Sequence, residues 1–141
     1  MADFFTHFSC VLDVGTPDNA ARALELYNAL MEENAREDPP SNAFLLSIQS
    51  EHGGSVLWFR DDVTGDPQTV ITFVLRCAEA FDLKGRWGFQ WANTCSRPRI
   101  NAFGGGAHVL DLGLRQTIAW TETSGWLAQT LSSGRGKRGS R

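Results

Sequence analysis

Two places in this chain carry the same start signal for a helix: Thr16-Pro17-Asp18 and Asp66-Pro67. In each, a side chain able to accept from a free helical N–H precedes a proline. Proline suits the first helical position because the N–H it lacks has no partner there. Each signal follows a run that reads as a strand, and each precedes a stripe of apolar residues at helical spacing. The first strand is Phe8 to Val14, with Phe8, Cys10, Leu12 and Val14 on one side. The first helix carries Ala20, Ala23, Leu24, Tyr27, Leu30 and Met31 on one face and is stopped by Asp38-Pro39-Pro40. Ala43 to Gln49 and Ser55 to Arg60 read as two strands of a hairpin joined through His52-Gly53-Gly54. The second helix presents Val70, Val74, Cys77 and Phe81, and Gly85 follows its end.

The strand after Gly85 is the most distinctive of all. Trp87, Phe89 and Trp91 alternate, so period two puts three large rings on one face and Arg86, Gly88, Gln90 and Ala92 on the other. The rings imply a core face, with Phe89 buried. The order strand, helix, strand, strand, helix, strand predicts an α+β fold of the ferredoxin-like kind, a split βαβ sandwich (βαββαβ) with both helices on one sheet face. Ala107–Leu112 and Thr117–Glu122 add a β-hairpin, and a short C-terminal helix carries Trp126, Leu127 and Leu131. The expected sheet is antiparallel, with about five to six strands.

The length of 141 residues fits one domain, placed at residues 1–131. Residues 132–141 are expected to form a basic, disordered tail. The last eight residues hold four basic groups, and the rest keeps nine basic against 16 acidic residues, a net charge of −7. An acidic body disfavours nucleic acid as the partner, because phosphate binding requires an excess of Lys and Arg. No apolar run has the length of a membrane span, no secretory pattern opens the chain, and three widely spaced cysteines fit a reduced, cytoplasmic protein.

Trp87-Gly88-Phe89-Gln90-Trp91, Asn93 to Arg99 and Phe103 to Asp111 together resemble a family of uncharacterised small proteins carried on bacterial plasmids and other mobile elements. Phe8-Ser9-Cys10, Gly15 to Asn19 and Asp61 to Pro67 look like the same family, so the resemblance runs from about Phe8 to Leu131. It implies a mobile-element setting and no assigned activity. The Trp-Gly-x-x-Trp pattern at Trp87, Gly88 and Trp91 is also similar to a strand in plasmid-borne proteins with a ferredoxin-like domain.

Three chemistries set different demands on these residues. Catalysis would require Cys95 beside a base such as His108, since a thiol becomes a nucleophile only when a neighbour activates it. Asp111 stands three positions from His108 and so on the opposite strand face. Metal binding finds no C-x-x-C or H-x-x-x-H spacing, and no cofactor motif is present; Gly104-Gly105-Gly106 precede a strand, whereas phosphate loops lead into a helix. The expected function is therefore a non-catalytic binding module for a protein partner or a small anionic ligand. Its surface is placed at Trp91, Asn93, Arg97, Arg99, Gly104, Gly105, Gly106 and His108, where Trp and Arg favour recognition. The alternatives are a nucleic-acid-binding accessory protein using Trp58, Trp87, Trp91 and Trp120, and a Cys95-dependent enzyme.

Overall fold

The computed structural model describes residues 2–37 and 43–136. The Asp38 to Pro40 stop signal and the last five residues of the basic tail lie outside them. The elements follow in the order β1 (Phe4–His7), β2 (Ser9–Asp13), α1 (Pro17–Ala35), β3 (Leu45–Gln49), β4 (Val56–Arg60), α2 (Pro67–Phe81), β5 (Arg86–Cys95), β6 (Gly104–Asp111), β7 (Gln116–Glu122) and α3 (Thr123–Gly136). The architecture is α+β, with two antiparallel sheets ordered β1-β5-β6-β7 and β2-β4-β3.

Both helix signals act as their chemistry requires. The Thr16 hydroxyl accepts from Asn19 N–H at 3.0 Å, and the Asp66 carboxylate from Gln68 N–H at 3.0 Å. Pro17 and Pro67 each open their helix. Between β3 and β4 a short 3₁₀ turn (Ser50–His52) passes into Gly53 and Gly54, whose φ angles of 82° and 79° belong to glycine territory.

The expected single sheet is instead two, and the break falls at Phe8. The expected first strand begins earlier, at Phe4, and changes partner midway. Its first part pairs with β5 (Phe4 opposite Cys95, His7 opposite Ala92), and its second with β4 (Ser9 opposite Arg60). Asp61, just past β4, causes the switch. Its carboxylate accepts from Phe8 N–H at 2.9 Å, and its own N–H donates to Phe8 O at 3.2 Å. The other edge of β1 is occupied by the turn after β4, with Thr6 N–H donating to Thr64 Oγ1 and Gly65 N–H to Thr6 O. Where β2 parts from β5, the Trp87 indole N–H donates to Val11 O at 2.8 Å and supplies a link the ladder lacks.

The two long helices pack side by side, joined by a two-pronged Arg76–Glu33 ion pair. They cover one aromatic cluster. Phe44, Phe59 and Phe73 lie 5.3–5.7 Å apart between ring centroids, and Tyr27 closes on Phe44 with a hydroxyl bond to its carbonyl. From Phe59 the rings continue through Trp87 and Phe89 to Trp91, at 6.3, 5.3 and 5.5 Å. Phe89 is buried, as the alternation requires. One packed run of aromatics thus crosses from the three-stranded sheet into the four-stranded one. The last helix is longer than expected, running from Thr123 to Gly136, and Trp126, Leu127 and Leu131 are all exposed.

Candidate functional site

The aromatic run ends in a groove of about 490 Å³ on the helix-bearing face of the four-stranded sheet. Each strand of that sheet contributes. β5 supplies Trp91 and Asn93, β6 His108, β7 Trp120 and Glu122, and β1 Thr6. The cross-strand register explains the convergence: Thr6 stands opposite Asn93, Trp91 opposite Gly106, and His108 opposite Trp120. The first turn of α2, from Asp66 to Gln68, with Ile71 beyond it, forms the remaining wall.

Polar contacts fix several of these side chains. Thr6 Oγ1 donates to Asn93 Oδ1 at 2.9 Å. His108 Nε2 bonds the Thr117 hydroxyl at 2.8 Å, and burial lowers its pKa below the ordinary 6.5, so the ring is neutral at pH 7. Trp120 is 63% exposed and leaves a broad indole face to solvent. The N-terminus of α2 would ordinarily attract an anion. Here Asp66 offers its own negative charge and takes Gln68 N–H and the Thr69 hydroxyl, while Pro67 has no N–H to give. The groove therefore carries two carboxylates, Asp66 and Glu122, and no lysine or arginine among its lining residues.

Of the residues singled out in the sequence, Trp91, Asn93 and His108 meet in the groove. The three glycines lie within β6 and serve close packing. A Cβ on Gly106 would meet Trp91 Cε2 at 2.8 Å and Thr121 O at 2.7 Å, so this glycine is the bed of the Trp91 indole. Gly105 lies against the Trp91 carbonyl, and Gly104 beside Ser124 of α3. Arg97 and Arg99 lie in the exposed loop between β5 and β6, which closes on itself through Arg99 N–H to Arg97 O and Ala102 N–H to Arg99 O. Neither arginine lines the groove, and among the described residues no carboxylate lies within 4.0 Å of either.

The thiols are not brought to a base. Cys95 and His108 belong to neighbouring strands, but His108 stands opposite Phe89, six positions from Cys95, or roughly 20 Å along the strand. Burial pushes the Cys10 and Cys77 thiols up to about 12. The four tryptophans do not share a platform. Trp58 faces away from the helices, its indole under Arg60 at 4.1 Å, whereas Trp87 and Trp91 point toward the core. Among the described residues no group of three His, Cys, Asp or Glu side chains is placed to hold a metal ion, and no helix is long and apolar enough to cross a membrane.

A second polar array escaped the sequence reading. His7 Nδ1 lies 2.8 Å from Asp61 Oδ2 and its Nε2 3.1 Å from Thr94 Oγ1. Carboxylate, imidazole and hydroxyl stand in the order of an acid–base relay. Thr94 faces away from the groove, however, and the array ties β1 to β5 and to the end of β4 at the sheet break. Burial raises the Asp61 pKa, but the bonds from His7 and from Phe8 N–H outweigh it and bring it below the ordinary 3.8. A lowered carboxyl contributes stability above its ordinary value and loses it as pH falls through the folded one. Urea titrations are expected to show stability falling below about pH 4, with a smaller fall in Asp61→Asn. An identical acid slope in that variant would remove the array from the account of the break.

Comparison of the chain with protein-family models, with curated proteins and with solved structures finds no match.

Proposed function

We propose that the protein is a non-catalytic binding module whose groove receives a basic side chain of a protein partner. One observation carries this reading: two indoles and two carboxylates line a groove to which no cationic residue contributes. An indole face attracts a guanidinium or ammonium through its quadrupole, and a nearby carboxylate adds charge. The acidic body, at −7 without the last eight residues, draws such a partner from a distance. A small anion is the poorer fit, because the α2 N–H groups are already engaged and Arg97 and Arg99 stand outside the groove.

The fold reading that supports the module treats β1 and β2 as one strand kinked at Phe8. The order then becomes β5, β1/β2, β4, β3, that of a ferredoxin-like sandwich, with β6 and β7 extending it. Resemblance to small plasmid-borne proteins sets the proposed context, a cytoplasmic protein of a bacterial mobile element.

Tryptophan fluorescence during titration with an arginine-rich peptide tests the proposal. Trp120→Ala is expected to weaken binding by roughly two- to thirtyfold, the value of about 0.5–2 kcal/mol for a cation over an aromatic face. Glu122→Gln is expected to weaken it and to flatten its salt dependence. Arg97→Ala combined with Arg99→Ala is expected to leave it unchanged. If inorganic phosphate or an acidic peptide binds instead, and that double variant abolishes the binding, the site belongs to the loop.

A further inference from the structure

Trp120 and Glu122 of the groove also line a smaller hollow of about 290 Å³, where Gln129 of α3 stands with them. α3 thus passes beside the groove early in its course. From Gln129 the helix continues to Gly136, which takes the chain no more than roughly 10 Å farther. Lys137-Arg138-Gly139-Ser140-Arg141 follow, outside the described residues. Five residues span up to about 17 Å when extended, more than α3 adds beyond Gln129. The segment is therefore long enough to return to the Trp120 indole. Its charge is the complement of what it would meet. Lys137, Arg138 and Arg141 are basic and no acid accompanies them, whereas the groove holds Asp66 and Glu122, and no lysine or arginine lines either hollow.

We infer that the segment Lys137 to Arg141 occupies the groove of its own chain when no partner is present, with a guanidinium over the Trp120 indole and beside Glu122. The inference rests on the reading of the groove as a site for a basic side chain, and it adds the competitor for that site. A cation gains from an indole face and from a nearby carboxylate whether it comes from a partner or from the same chain. The body, at −7 without the last eight residues, draws the segment back toward itself. The connection through α3 makes the encounter intramolecular, so weak contacts suffice to fill the groove. A partner enters only by displacing the segment, and its apparent affinity falls by the fraction of chains whose groove is open. Basic surfaces that bind weakly are thereby turned away, and a partner with further contacts is not.

Titration with an arginine-rich peptide, read by tryptophan fluorescence, compares the full chain with one ending at Gly136. A short connection holds the segment at an effective concentration on the order of millimolar, so its removal is expected to strengthen peptide binding about tenfold. Losing three positive charges also makes the chain more acidic, which by itself favours a basic peptide. Trp120→Ala separates the two causes. In that background the gain from shortening is expected to shrink to about twofold or less, because the segment has lost the indole it covers, whereas a general charge effect would persist in full. Equal binding by the full and shortened chains overturns this inference alone, as does a gain that Trp120→Ala leaves undiminished. Failure of both chains to bind the peptide overturns the reading of the groove, and this inference with it. The gain is expected to be the same at every protein concentration. A gain that grows with concentration would place the segment in the groove of a neighbouring copy and overturn its assignment to its own chain.

Discussion

Replacing Phe89 by alanine is expected to cost about 3–5 kcal/mol, the usual penalty for emptying an aromatic core site. The ring stands where three structural features depend on it at once. It stacks on Trp87 at 5.3 Å, lies tilted against Trp91 at 5.5 Å, and meets the edge of Phe8 at 6.1 Å. Phe8 is the residue at which the chain leaves one sheet for the other, so the cavity would open beneath the break. Trp87 would lose a neighbour while its indole still holds Val11, and Trp91 would lose the ring that fixes its angle in the groove. Loss of stability and loss of groove binding should therefore appear together. Urea denaturation measures the first and peptide titration the second. A stability change under about 1 kcal/mol would mean that the ring is not a core anchor.

What the sequence revealed was local chemistry, and what it hid was long-range pairing. The Thr16 and Asp66 caps act within three residues of themselves, and the face of Trp87, Phe89 and Trp91 follows from the pleat alone. The sheet break depends on Asp61 reaching Phe8 across 53 positions, which no periodicity records. β1 was missed because Phe4 to His7 is short and no alternation marks it, its partners being the distant β5 and the turn after β4. In the groove, Trp91, Asn93 and His108 were legible because they cluster around one strand and its neighbour. Thr6, Asp66 and Glu122 were not, since they arrive from β1, the cap of α2 and β7, and Trp120 was read only as one of four tryptophans of a nucleic-acid platform. Asp66 was read only as a helix cap, yet the same carboxylate sets the charge of the groove wall. The apolar stripe of α3 was legible as a stripe, but nothing local told that the chain itself leaves it uncovered.

The glycines of β6 give the second large effect, and they separate packing from function. Gly105→Ala would place a methyl group well inside contact distance of the Trp91 carbonyl oxygen and 3.4 Å from Ala92 Cα. Both are backbone atoms of the paired strand and cannot rotate aside. Overpacking of this kind costs typically about 1–3 kcal/mol, and here it would force β5 and β6 apart in the middle of the sheet. Gly106→Ala meets the Trp91 ring and Thr121 O at 2.7 Å, so the indole must leave its bed. That variant is expected to lose groove binding and to change the near-ultraviolet dichroism of the tryptophans, beyond any loss of stability. Gly125→Ala is the control, since nothing lies within 4 Å of a Cβ placed there and the residue belongs to α3. It is expected to be neutral or to stabilise by up to about 1 kcal/mol, because alanine suits a helix better than glycine. The ordering Gly125→Ala above Gly106→Ala and Gly105→Ala in melting temperature, with groove binding lost in Gly106→Ala and intact in Gly125→Ala, is what a strand laid directly over Trp91 requires. Equal stability of all three would mean that β6 does not lie that close to β5.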